Sequence, residues 1–199
     1  MATESAARAS RRILIRDSTL REGLDVPRVE FSMDQRLRIA GLLDRAQVPE
    51  IEVVAPGKIA EDLPFAAKLK EQRLRIRTSG LVYSFSPRCK EEVVQLSGSL
   101  DRFDILMPVS EKRRPYDRNT KTSLLQEMLD FSLKHTSDVG VGFPHSTQAD
   151  PEFLQEISQA SAKNGARRIV IYDTNGSADP SQVYELIKRL TQAVDVPLF

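Results

Sequence analysis

The sequence predicts an α/β fold of parallel strands and helices, a (β/α)8 TIM-barrel type that is incomplete, with about six βα units and the start of a seventh strand. Three observations carry this reading. Short runs rich in Val, Ile, Leu and Phe alternate with helical patterns, the signature of strands joined by crossover helices. Asp150-Pro151 and Asp179-Pro180, 29 residues apart, each place a good N-cap before a proline at the first helical position. No glycine-rich phosphate fingerprint follows the first apolar run, which favours a barrel over a dinucleotide-binding sheet.

The elements follow in order. Ile13-Leu14-Ile15 reads as a buried first strand that ends on Arg16 and Asp17. Ser32 with Gln35 is a capping-box pattern, and Leu37, Ala40 and Leu43 continue it at helical spacing. Strands are expected over 50–54, 74–83, 103–109, 139–143 and 168–172, with helices over about 60–71 and 120–133. Pro87 opens a further helix through Val93 and Val94. The two Asp-Pro caps introduce amphipathic runs, Phe153/Ile157/Ala160 and Val183/Leu186/Leu190, and Asn164-Gly165 is a fitting helix stop between them. Residues 196–199 begin a seventh strand. Eight units of about 31 residues need roughly 250 residues, so the chain is expected to stop about one and a half units short of a closed barrel.

Composition bounds the function. With 199 residues, 40% hydrophobic and 29% charged, the chain is long enough for one domain, expected at 13–199 behind a disordered tail at 1–12. A net charge of +1 leaves no electrostatic footprint for nucleic acid or an anionic membrane. No apolar run approaches the roughly 18 residues of a membrane span. Cys89 is the only cysteine, which excludes an internal disulfide framework and a cysteine-rich zinc site. A single cysteine suits a reducing cytoplasm, where the chain is expected to act, and the opening residues lack the apolar region of a secretion signal and read as a disordered tail in preference to a weak transit-like peptide.

Arg16 and Asp17 stand at the carboxyl end of the first strand, where parallel α/β folds keep their chemistry. An Asp there can ligate a hard divalent cation, and an Arg can hold a carboxylate or a developing enolate oxygen without losing its proton. Taken without context, such a pair is more often a solvated ion pair.

The surrounding stretch Arg16-Asp17-Ser18-Thr19-Leu20-Arg21-Glu22-Gly23 resembles the first-strand signature of the metal-dependent lyase and Claisen-condensing barrel family. That family includes isopropylmalate, homocitrate and citramalate synthases and, more distantly, hydroxymethylglutaryl-CoA lyase. The resemblance runs along nearly the whole chain, through Ile51-Glu52-Val53, Pro108-Val109-Ser110, Gly165-Ala166-Arg167-Arg168-Ile169 and Asp173-Thr174-Asn175-Gly176. It implies that Arg16 stabilises an enolate oxygen while Glu52 braces it, and that Asp17 ligates a divalent metal (Mg, Mn or Zn) beside two imidazoles of a seventh-strand His-x-His. It further implies that Thr174 and Ser110 hold the substrate carboxylate or line its pocket, with Tyr83 as a polar contact. The substrates so implied are a 2-oxo acid and an acyl-CoA, joined by an acyltransferase or cleaved by a lyase running the same chemistry in reverse.

The chain ends at Phe199, just before the His-x-His is due. By this resemblance the metal is expected only if that motif is supplied, and the chain alone is expected to be inactive. Two departures stand out. Gly142-Phe143-Pro144-His145-Ser146-Thr147-Gln148 replaces the usual Gly-x-Glu-Asp-Ala-x-Arg, and Leu24-Asp25 replaces the Glu-Gln of condensing relatives. His145 follows the fifth strand and offers a second metal ligand, but such sites normally use three or more. His135 reads as a surface residue or a helix-end cation. The basic loop Lys112-Arg113-Arg114 either meets a CoA phosphate or is simply solvated. Two other readings are a non-catalytic homologue that associates through its open barrel edge, as a homo-oligomer or with another chain, and an enzyme of altered chemistry that uses His145.

Overall fold

The structure, a computed structural model, describes residues 13–110 and 116–199. The tail expected at 1–12 and the basic loop at Lys112, Arg113 and Arg114 lie outside the described residues. Six strands, β1 (Arg16–Asp17), β2 (Glu50–Val54), β3 (Arg77–Tyr83), β4 (Arg102–Leu106), β5 (Val139–Phe143) and β6 (Ile169–Ile171), form one sheet in sequence order. Every pairing is parallel. Helices α1 (Met33–Arg45), α2 (Ile59–Glu71), α3 (Cys89–Ser99), α4 (Arg118–Leu133), α5 (Pro151–Lys163) and α6 (Pro180–Ala193) follow the strands in turn. The expected seventh strand begins as a parallel bridge between Ile169 and Leu198, with the Phe199 N–H donating to the Ile169 carbonyl at 2.9 Å.

Local chemistry explains the helix starts. The Ser32 hydroxyl accepts from the Gln35 N–H while the Gln35 side chain accepts from the Ser32 N–H, satisfying two otherwise orphaned donors. Asp179 and Gln182 form the same reciprocal box at α6, while Asp117 and Asp150 cap α4 and α5 by accepting the backbone N–H of Thr120 and Phe153. Gly165, with φ at +100°, turns the chain after α5 through a conformation that costs other residues a steric penalty.

The sheet has two unlike faces. Ile51, Val53, Phe103, Ile105, Val139, Val141 and Ile169 point outward and form the buried core with the helices, including Phe65, Leu96, Leu125 and Leu154. The alternate residues, Arg16, Glu50, Glu52, Arg102 and Asp104, lie on the other face. Bonds there join strands that are not neighbours: Arg16 of β1 reaches Asp104 of β4 at 2.8 Å, and Arg102 of β4 meets Glu50 of β2. Such contacts require the sheet to curl around this face, and the result is a half-barrel with a charged interior.

The structure corrects several sequence expectations. Ile13, Leu14 and Ile15 are not a buried strand: they are 88%, 41% and 64% exposed, and the ladder starts at Arg16. Apolar composition alone did not distinguish an exposed sheet edge from an interior strand. The strand expected over 74–83 starts at Arg77, and the one expected over 103–109 ends at Leu106. Residues 107–109 are buried but lie past the end of the ladder.

Candidate functional site

The site begins with charge buried inside the curl. Arg16 lies within 2.7 Å of Glu50, 3.3 Å of Glu52 and 2.8 Å of Asp104. Burial works against its charge, but Asp104, Glu50 and Glu52 outweigh that and hold the guanidinium charged. Arg168, just before β6, reaches Asp104 at 2.8 Å, meets Asp138, and donates to the Phe103 carbonyl at 3.0 Å. Gly140 makes the crossing possible: a Cβ there would stand 2.0 Å from Asp104 Oδ1 and 2.7 Å from Arg168 Cγ. The Phe199 ring lies 4.6 Å from the Arg16 guanidinium, a cation–π contact.

Toward the carboxyl ends of the strands this network reaches Arg21. Its Nε donates to Glu52 Oε2 at 2.7 Å, and its Nη2 lies 2.7 Å from the same oxygen. Glu52 is thus shared by two arginines. Burial pushes its carboxyl up, against the pull of Arg21 and then Arg16. Arg21 also meets Glu22, which is exposed in a short 3-10 helix, Glu22–Asp25.

Arg21 stands in the wall of a cavity of about 340 Å³. Glu22, Asp25, Lys58, Tyr83, Tyr172 and Thr174 supply its other polar lining, and Leu81, Leu106 and Pro144 its apolar walls. The Asp25 carboxylate and the Lys58 ammonium bridge its mouth at 2.7 Å. The Thr174 hydroxyl oxygen accepts the His145 N–H at 2.9 Å, which leaves its own proton to donate. A fixed guanidinium, a hydroxyl donor and phenols in one concave site suit a small oxygen-rich anion.

A family model, HMGL-like, matches residues 12–198. The chain belongs to the HMGL-like family. Homocitrate synthase 1 of Nostoc sp. is 28% identical over 191 residues, covering 94% of this chain and 50% of the relative. A 2-isopropylmalate synthase of Caldanaerobacter subterraneus is 26% identical, with 94% and 49% covered, and a homocitrate synthase of Saccharolobus islandicus is 31% identical, with 90% and 40% covered. The chain spans about half the length, or less, of these relatives. Among solved structures, HMG-CoA lyase of Bacillus subtilis superimposes with a TM-score of 0.76 at 16% identity over 94% of this chain and 67% of the lyase. The carboxyl transferase domain of Rhizobium etli pyruvate carboxylase gives 0.74 at 17% identity over 94% of this chain and 35% of that one. These likenesses show the fold, an HMGL-like half-barrel.

Within this HMGL-like fold the residues expected from sequence separate. Glu52, Thr174 and Tyr83 gather at or just beneath the cavity. Arg16 does not line it; it lies deeper, enclosed by three carboxylates. The Asp17 carboxylate accepts from the Thr19 N–H at 2.9 Å and its hydroxyl at 3.2 Å, a local turn. Ser110 is fully buried, its carbonyl accepting from Lys121 at 3.2 Å, and is also absent from the cavity lining. His145 adopts a left-handed conformation at φ 59° and presents its backbone N–H to Thr174. Among the described residues no three His, Cys, Asp or Glu come together as a metal-binding group, so the side chains present do not by themselves fit a divalent ion. Arg21, Glu22, Lys58 and Tyr172 were not singled out from the sequence. A signal for the first two existed, since Arg21-Glu22 is a second Arg-carboxylate pair within the same eight residues.

Proposed function

We propose that this chain carries part of the site of an enzyme that makes or breaks a carbon–carbon bond next to a carbonyl, with a 2-oxo acid and an acyl-CoA as the condensing substrates. The observation that carries this is Arg21, held by Glu52 and set in the cavity wall. A guanidinium fixed in that way cannot lose its proton and needs no reorganisation to meet negative charge growing on an enolate oxygen. Glu52 acts as its positioning residue. Thr174 donates its hydroxyl to the substrate carboxylate, and Tyr83 borders the same space. Arg16, enclosed by Glu50, Glu52 and Asp104, supports Glu52 from beneath.

Enzymes of the HMGL-like family generally depend on a divalent metal. Asp17 and Glu22 are the carboxylates that this chain would offer to such an ion. The relatives named as homocitrate and isopropylmalate synthases support the condensing direction. The lyase reading draws on equal chemistry, because the same enolate forms in either direction.

The test is a coenzyme A release assay with acetyl-CoA, Mg²⁺ or Mn²⁺ and a panel of 2-oxo acids, alongside a cleavage assay on hydroxymethylglutaryl-CoA. Both are run on this chain and on a longer polypeptide that adds barrel-closing strands. Turnover by the longer polypeptide, lost on Arg21→Gln and cut roughly 100-fold by Glu52→Gln, is the expected result. Full turnover in Arg21→Gln would move the role away from this cavity.

A further inference from the structure

Tyr172 follows β6 and lines the cavity, yet no role assigned so far uses it. Its hydroxyl oxygen is buried and has no hydrogen-bond partner, although a buried phenol normally finds one. Leaving such a donor unmet costs the fold stability, so its persistence asks for a use outside the fold.

The surroundings indicate that use. Tyr172 and Arg21 line the same cavity, and the phenol feels the charges of Glu52, then Asp104, Arg16 and Arg21. Burial first, and then those two carboxylates, push its acidity well above the ordinary range, so the phenol keeps its proton and acts as a neutral donor. Glu52 and Asp104 themselves are already engaged by arginines. Room for the ring comes from β5: a Cβ on Gly142 would stand 2.8 Å from Tyr172 Cε2 and 2.7 Å from Leu106 Cδ2.

We propose that Tyr172 is the hydrogen-bond donor to the 2-oxo group of a small 2-oxo acid bound beside Arg21 in this cavity, and that Gly142 gives its ring the space to stand there. This rests on the cavity being the substrate site. Arg21 and Thr174 recognise negative charge, which any carboxylate carries. A neutral phenol discriminates by the presence of the keto oxygen, because an unmet buried donor penalises a ligand that lacks an acceptor.

The experiment measures binding of pyruvate and of propionate, which differ by that one oxygen, to the purified chain by titration calorimetry, together with thermal unfolding. The wild type is expected to bind pyruvate about 10-fold more tightly than propionate. Tyr172→Phe should bring pyruvate down to the propionate level, leave propionate unchanged, and keep or raise the melting temperature because an unmet hydroxyl has gone. Gly142→Ala should lose the same discrimination by displacing the ring. If Tyr172→Phe leaves the pyruvate preference intact while Arg21→Gln weakens both ligands, Tyr172 is not the donor and the cavity assignment stands. If Arg21→Gln changes neither affinity, or the wild type binds neither acid, the cavity assignment itself falls and takes this proposal with it. A melting temperature lowered by several degrees in Tyr172→Phe would show that the hydroxyl serves the fold, and would overturn the proposal.

Discussion

At the scale of the residue, the interior of the curl is a chain of shared charges. Asp104 is fully buried and serves both Arg16 and Arg168, while Glu52 serves Arg16 and Arg21. Removing one partner from such a set leaves a buried charge uncompensated, which costs far more than an exposed ion pair contributes. Asp104→Ala is expected to destabilise the fold by about 3–5 kcal/mol in chemical denaturation. Gly140→Ala tests the same network from the steric side. Its Cβ would overlap Asp104 Oδ1, and overpacking of this kind costs about 1–3 kcal/mol or more. A Gly140→Ala protein as stable as wild type would show that Asp104 and Arg168 can separate freely. The glycine was visible in the sequence. Its purpose was not, because nothing local says that the space over residue 140 belongs to the side chains of Asp104 and Arg168.

At the scale of the element, the helix starts were legible because their cause is local. Ser32, Asp150 and Asp179 each bond a backbone N–H three residues on, a contact that spacing alone predicts. Strand ends were less legible, since a strand stops where its neighbour stops pairing. The caps also carry a pH dependence. Backbone hydrogen bonds, and for Asp117 the Thr120 hydroxyl, hold the Asp117 and Asp150 carboxyls below their ordinary value. A carboxyl lowered in the folded state adds stability that is fully present above its unfolded value, near 3.9, and is lost as pH falls through the lowered folded value. Asp150→Asn keeps a capping oxygen but cannot titrate. Its melting temperature should match wild type near pH 7 and fall less steeply than wild type below about pH 4. Parallel acid limbs for the two proteins would exclude this cap as a contributor.

At the scale of the whole molecule, the curl has an edge. β1 pairs with β2 on one side and, among the described residues, with no strand on the other. Ile13, Leu14 and Ile15 stand exposed beside that edge, and α6 buries Leu190 but leaves Tyr184 63% exposed. A cavity of about 370 Å³ opens between Leu14 on one flank and Pro197 and Phe199 on the other. Unpaired edges flanked by apolar side chains template association. Light scattering across a concentration series is expected to show self-association of this chain, reduced by Ile15→Lys. A monomer at every concentration, indifferent to that substitution, would show that the edge is adequately protected by itself.

The sequence alone determined the parallel α/β half-barrel, the order of its units, the helix caps and the HMGL-like kinship, because each rests on local spacing or on a contiguous motif. Of the residues it offered for a site, Tyr83 and Thr174 line the cavity and Glu52 lies beneath it, whereas Arg16, Asp17, Ser110 and His145 do not line it. What only the tertiary structure decided is which charges face the cavity. Arg16-Asp17 and Arg21-Glu22 are equivalent as text, but Arg16 points into the curl among Glu50, Glu52 and Asp104, whereas Arg21 emerges past the strand end into the cavity wall. Depth inside a curled sheet depends on where the other strands lie, and that information is spread over β2, β4 and β6, far from either pair in sequence.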